Sequence, residues 1–110
     1  MQHEMRAYTA ETFLPYSGQV FVFEVVTAAG SAHQPIRLKL DQVSPSKSGP
    51  IAAGFRQPFS LLFALADGVA AASGLFRLLH DDFEPCDWFL SRVIVPGGDA
   101  RTAYYEAVFG

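Results

Sequence analysis

The densest set of side chains able to do chemistry is His80-Asp81-Asp82, with Glu84 and Cys86 close behind. Hard cations need several convergent oxygens, and a calcium loop takes a glycine at its sharp turn. Here Phe83 and Pro85 interrupt the series, so the pattern reads as a solvated acidic turn rather than a metal site. Cys86 with His80 or His33 offers a nucleophile and a base, but such a pair also needs a third group to orient the base. A lone cysteine where a strand begins is more often a small buried hydrophobe. Glu24 and Glu106 fall on different strands, and a shared proton would require them to meet across a sheet. Gly97-Gly98 follows Pro96 and precedes Asp99, which is turn chemistry. A phosphate-binding loop would place Lys-Ser/Thr after its last glycine and then a helix. No Gly-x-Ser-x-Gly elbow is present. The expectation is a protein with no catalytic, metal-binding or cofactor-binding residue and no cofactor.

The elements that would carry these residues are strands. Gln19–Thr27 places Val20, Val22 and Glu24 on one face and Phe21, Phe23 and Val25 on the other. A turn at 28–31 leads to a second strand over Ala32–Val43. There Ile36, Leu38 and Leu40 alternate with Arg37, Lys39 and Asp41, as a half-buried strand requires. Ser44–Pro50 is a turn-rich loop. Pro58 marks the start, a bulge or an edge of the strand over Phe55–Leu65, because proline cannot donate to a ladder. Further strands follow over Gly74–His80, from Cys86 or Asp87 to Val95, and over Thr102–Phe109. Val69–Ala72 offers at most one helical turn. Thr9–Leu14 predicts a short N-terminal turn capped by Thr9, with Thr12 at the fourth position and Pro15 as its stop. Phe13 and Leu14 would plug the core.

Six strands at short intervals, without intervening helical periodicity, predict an all-β fold. The expected form is a single-domain six-stranded antiparallel β-barrel or rolled sandwich spanning residues 1–110. Residues 1–8 are polar and read as a flexible or partner-bound segment. An oligonucleotide-binding-type barrel is the alternative fold, but it takes five strands and a helix that only 69–72 could supply.

Composition bounds the function. Of 110 residues, 50% are hydrophobic, 14% aromatic and 17% charged, against about a quarter charged in ordinary domains. Disorder over most of the length is excluded. With a formal net charge of −3 and eight scattered Lys and Arg, the chain lacks the basic field that nucleic-acid binding needs. Cys86 is the only cysteine, so there is no disulfide framework. The first residues show no signal peptide, and the most apolar stretch, Phe59–Leu79, is too broken to span a membrane. The expected location is the cytoplasm or an exported, virion-like assembly.

Leu75–Leu79, Trp88–Val95 and Tyr104–Phe109 carry large side chains on successive residues, which exceeds simple alternation. The expectation is an apolar second face covered by another chain, with Phe76, Phe89 and Tyr105 as candidate interface residues. Aromatic residues on an outward face mark protein interfaces more often than ligands. An exposed edge strand would offer a second route to pairing. The function so expected is non-enzymatic and structural; a barrel binding a small apolar ligand is the alternative.

Phe13-x-Pro15-x-x-Gly18-x-x-Phe21, the central Gly54-Phe55-Arg56-Gln57-Pro58-Phe59-Ser60-Leu61-Leu62-Phe63 and the closing Tyr105-Glu106-Ala107-Val108-Phe109 resemble a family of small bacterial domains. The likeness covers about Thr12–Phe109. That family has no established activity and no known catalytic residue, so the resemblance transfers no site. Its members tend to be encoded near phage-tail-collar-like fibre proteins. The resemblance therefore implies a role in or beside such an assembly, which makes a tail-collar-like fibre protein the expected partner beside the homo-oligomer that the apolar second face allows. Relatives carry a "His-x-x-Leu-Gly" turn where this chain reads His80-Asp81-Asp82-Phe83-Glu84-Pro85, so nothing built on that glycine carries over.

Overall fold

The computed structural model describes residues 8–26, 35–45, 58–99 and 101–109. The expected turn at 28–31, His33, most of the 44–50 loop and residues 1–7 lie outside the described residues. One helical turn, α1 (Ala10–Phe13), runs into a 3-10 turn over Leu14–Tyr16. Six strands follow: β1 (Val20–Val25), β2 (Ile36–Pro45), β3 (Phe59–Asp67), β4 (Gly74–Leu79), β5 (Cys86–Val93) and β6 (Tyr104–Phe109).

All pairings are antiparallel, and they close a barrel in the order β1-β2-β3-β6-β5-β4. The chain thus makes two three-stranded meanders, β1-β2-β3 and β4-β5-β6. They are joined where β1 meets β4 and where β3 meets β6. The barrel is the form expected from strand spacing. Closure gives every strand two neighbours, which corrects the expectation of a free edge strand.

Alternation sets the interior. Phe21 and Phe23 of β1, Leu38 and Leu40 of β2, Leu61 and Phe63 of β3, and Leu78 and Leu90 of β4 and β5 are all fully buried. Phe76, Tyr105 and Ala107 point inward as well, and Trp88 is 7% exposed. Their sequence neighbours Leu75, Phe89 and Val108 point outward. The runs therefore do alternate, and the expected apolar doubling is resolved by parity: one set fills the barrel and the other lines its outside. Ten phenylalanines in so short a chain suit a six-stranded barrel, whose narrow interior is filled by side chains.

β2 and β3 bend around the barrel at two register shifts, between Arg37 and Leu38 and between Leu40 and Gln42. The second sets Asp41 outside the ladder, and an extra residue of this kind sharpens local twist. Ser44 and Pro45 belong to β2, paired with Ser60 and Phe59, so the strand outlasts its expected end. Pro58 directly precedes β3, the first of its three expected placements.

One mouth of the barrel is sealed by aromatic rings. α1 is short, and Thr9 anchors its start by donating its N–H to Thr12 Oγ1 at 3.0 Å. That turn delivers Phe13, fully buried, against Phe59, Phe83, Trp88 and Phe109 with ring centroids 5.5–5.9 Å apart. Phe13 is the plug; Leu14, expected to share that role, is 53% exposed because the chain turns outward at Pro15.

The opposite mouth is crossed by the segment after β3. Gly68 takes φ +108°, a conformation side-chain-bearing residues rarely adopt, and lies close over Ile36. Residues 69–72 form no helical turn. They are held instead by Tyr105, whose hydroxyl donates to the Ala71 carbonyl and accepts from the Ala71 N–H, both at 2.8 Å. Arg92 adds a bond from Nη1 to the same carbonyl at 3.2 Å, and its guanidinium carbon lies 5.5 Å from the Tyr105 ring centroid.

Candidate assembly surface

The side chains of the ligand-rich turn bond within the chain. The Asp82 N–H donates to His80 Nδ1 at 3.0 Å, and the Tyr16 hydroxyl donates to Asp82 Oδ2 at 3.0 Å. That acceptor and the adjacent negative charge raise the Tyr16 pKa above its ordinary value, since an ionised phenol beside a carboxylate is disfavoured. The His80 ring packs against Phe21, Tyr16 and Phe83 at 4.8–5.5 Å. Phe83, the residue that breaks the ligand series, instead points toward the aromatic plug. Among the described residues no group of three or more His, Cys, Asp or Glu side chains could hold a metal ion.

Cys86 opens β5 half-buried. Burial pushes its thiol up, a hydrogen bond with Trp88 opposes that, and Asp87 and Glu84 push it further up. Reactive cysteines need the reverse, an electropositive setting that favours thiolate. Glu24 and Glu106 do not meet, because β1 and β6 are not neighbours in the barrel. Glu24 sits opposite Arg77 of β4, and Glu106 opposite Ser91 and Leu62.

The three candidate interface residues separate. Phe76 is fully buried, with its ring 6.4 Å from Phe23 and 5.8 Å from Tyr105. Tyr105 is fully buried too and spends its hydroxyl on Ala71. Neither has surface to give a partner, because both sit on the inward parity of their strands. Phe89 alone faces out, 58% exposed.

Phe89 is not isolated. It pairs directly with Leu75 across β4 and β5, and Leu75 is 48% exposed. On β6, Val108 is 70% exposed beside Ser60 of β3. Next along the outer face, Arg77 pairs with Asp87, with Nε to Oδ1 at 3.0 Å. Leu75 and Val108 are the residues sequence reasoning missed. The signal was available: once Phe76, Trp88 and Tyr105 are placed inside, period two sends Leu75, Phe89 and Val108 outside together.

β5 joins β6 through only three register pairs, Ser91↔Glu106, Arg92↔Tyr105 and Val93↔Tyr104. Every other junction of the barrel has at least four. The exposed Phe89 and Val108 flank the part of this seam where pairing has stopped. Its inner side is filled by Trp88 and Phe109, edge to face at 5.1 Å.

No curated protein and no solved structure matches the chain. One family model matches residues 8–109, from the tyrosine that packs on the plug to the last residue of β6. The chain therefore belongs to the family described as a domain of unknown function, DUF6916.

Proposed function

We propose that this domain is a non-enzymatic assembly module that joins a partner through the outer face of β4, β5 and β6. The observation that carries the proposal is the exposed cross-strand pair Leu75–Phe89, with Val108 beyond it, on a barrel whose interior is already full of its own rings. Apolar side chains grouped outside a filled core gain by burial against another chain. The partner is a second copy of the domain, which the apolar outer face would suit, or a tail-collar-like fibre protein, which the family resemblance implies. The packed interior argues against the small-ligand alternative, since the Phe63 ring lies 5.5 Å from each of the Phe21 and Phe23 rings inside the barrel.

Size-exclusion chromatography with light scattering tests this, on the protein alone and mixed with a fibre protein encoded beside it. A stable contact buries more than about 1,000 Å² and survives dilution to micromolar concentration. Phe89→Ser and Leu75→Ser should abolish the assembly while leaving the thermal melt cooperative. A wild-type protein that stays monomeric in both settings at high micromolar concentration overturns the proposal.

A further inference from the structure

The two mouths of the barrel are closed by unlike means. At one, Phe13 is fully buried among four other rings. At the other, the cover is Val69-Ala70-Ala71-Ala72, whose small side chains bury little. Val69 is 82% exposed, Ala70 and Ala72 are exposed, and Ala71 alone of the four packs against the core. Burial of apolar surface therefore contributes little to keeping this segment down.

What keeps it down is polar and converges on one residue. The Tyr105 hydroxyl meets both backbone groups of Ala71 at 2.8 Å, and Arg92 Nη1 donates to the same carbonyl at 3.2 Å. Arg92 also ties the far end, its backbone N–H donating to Ser73 Oγ at 2.7 Å. At the near end Gly68, at φ +108°, turns the chain closely over Ile36. Between these anchors the segment belongs to no strand. When it lifts, Ala71 and the Tyr105 hydroxyl trade their mutual bonds for bonds to water, which is nearly balanced in free energy. No strand pairing is broken.

We infer that residues 69–72 are a releasable strap, latched by Tyr105 and Arg92 on Ala71, which opens as a unit while the barrel stays folded. Segments with few buried apolar contacts open locally, at far lower cost than global unfolding. Opening uncovers the Tyr105 hydroxyl and this end of the interior, so the latch sets access to the mouth. The device is separate from the outer face of β4 to β6, and its test leaves the assembly reading untouched.

Amide hydrogen exchange followed by NMR, on the intact protein at urea concentrations below its unfolding transition, tests the strap. The reference is the Leu40 amide, which donates to the Gln19 carbonyl at 2.9 Å in the barrel wall. Corrected for intrinsic rates, Ala71 should exchange at least tenfold faster than Leu40. Its rate should stay nearly flat in urea while that of Leu40 climbs, because global unfolding exposes far more surface than strap opening. Arg92→Leu removes one bond to the Ala71 carbonyl yet leaves Tyr105, the acceptor of the Ala71 amide, in place. It should speed Ala71 exchange at least threefold, with the urea slope still flat. An Ala71 amide that follows Leu40 in rate and urea slope overturns the inference. So does one that exchanges at the unprotected rate, since the strap is then never closed, and so does an Ala71 rate unchanged in Arg92→Leu. Should that variant not fold, the wild-type urea series decides alone.

Discussion

The hydroxyl of Tyr105 satisfies both backbone groups of Ala71, donating to its carbonyl and accepting from its N–H at 2.8 Å each. One interior side chain, 34 residues away in sequence, thereby fixes the segment that crosses the barrel mouth. Tyr105→Phe removes the oxygen and leaves the ring. The loss should be about 1–3 kcal/mol in urea melts, the cost of stranding partly buried polar groups. The Ala71 amide should become the most altered in exchange. An unchanged melting midpoint with unchanged Ala71 exchange would show that the hydroxyl holds nothing.

Leu38 and Lys39 are neighbours with opposite fates, one fully buried and one exposed. Leu38→Asp places an unpaired charge among Phe-lined walls and should unfold the domain. Lys39→Gln should shift stability by less than about 0.5 kcal/mol. Equal losses in circular-dichroism melts would contradict the parity of β2.

Gly68→Ala adds a Cβ 3.1 Å from Ile36 Cγ2 and 3.2 Å from its Cα, at a φ of +108°. Gly18 also has positive φ, yet a Cβ there meets nothing within 4 Å. Both alanine variants incur backbone strain of about 1–3 kcal/mol, and Gly68→Ala adds a clash with backbone. Chemical denaturation should therefore rank Gly68→Ala as the more damaging. The reverse order would mean that the β3 turn is looser than described.

Cys86 has its pKa raised, chiefly by burial, so the folded state holds the thiol proton more tightly than the unfolded chain does. As pH rises past the unfolded thiol's ordinary range, the unfolded state binds fewer protons than the native one. Stability contributed by Cys86 is thus present below that range and lost as pH climbs through the folded pKa. Cys86→Ser should flatten this alkaline decline, and the native thiol should react more slowly with a disulfide reagent at pH 8 than the urea-unfolded chain. Equal rates would show that burial does not protect it.

Much of this was legible in the residues. Ile36-Arg37-Leu38-Lys39-Leu40 declares its buried face by clean alternation, and Thr9, Thr12 and Pro15 mark the helical turn α1. The outward faces of β4 to β6 were harder to read. Leu75-Phe76 and Trp88-Phe89 put large apolar groups on both sides, and only barrel closure decides which side is core. That closure depends on β1 meeting β4 and β3 meeting β6, contacts with no local signature. For the same reason the sequence groups Phe76 and Tyr105 with Phe89, because hydrophobicity cannot separate an inward aromatic from an outward one. The roles of Phe83 and Tyr105 were also hidden, because each acts on a segment distant in sequence.

The two meanders carry a kinetic consequence. Each can form from hairpins between successive strands, but the joins that close the barrel bring Val22 to Leu79 and Phe59 to Phe109. Such distant pairings bear most of the loop-closure entropy before any of it is repaid, which places folding in the millisecond-to-second range typical of all-β domains. Until they form, β1, β3, β4 and β6 are open edges with phenylalanine-rich faces, the species most prone to aggregate. Because β1 to β3 precede β4 to β6 in the chain, the strands of the first meander are made before the ones that close it, and their edges stay uncovered until synthesis reaches β6.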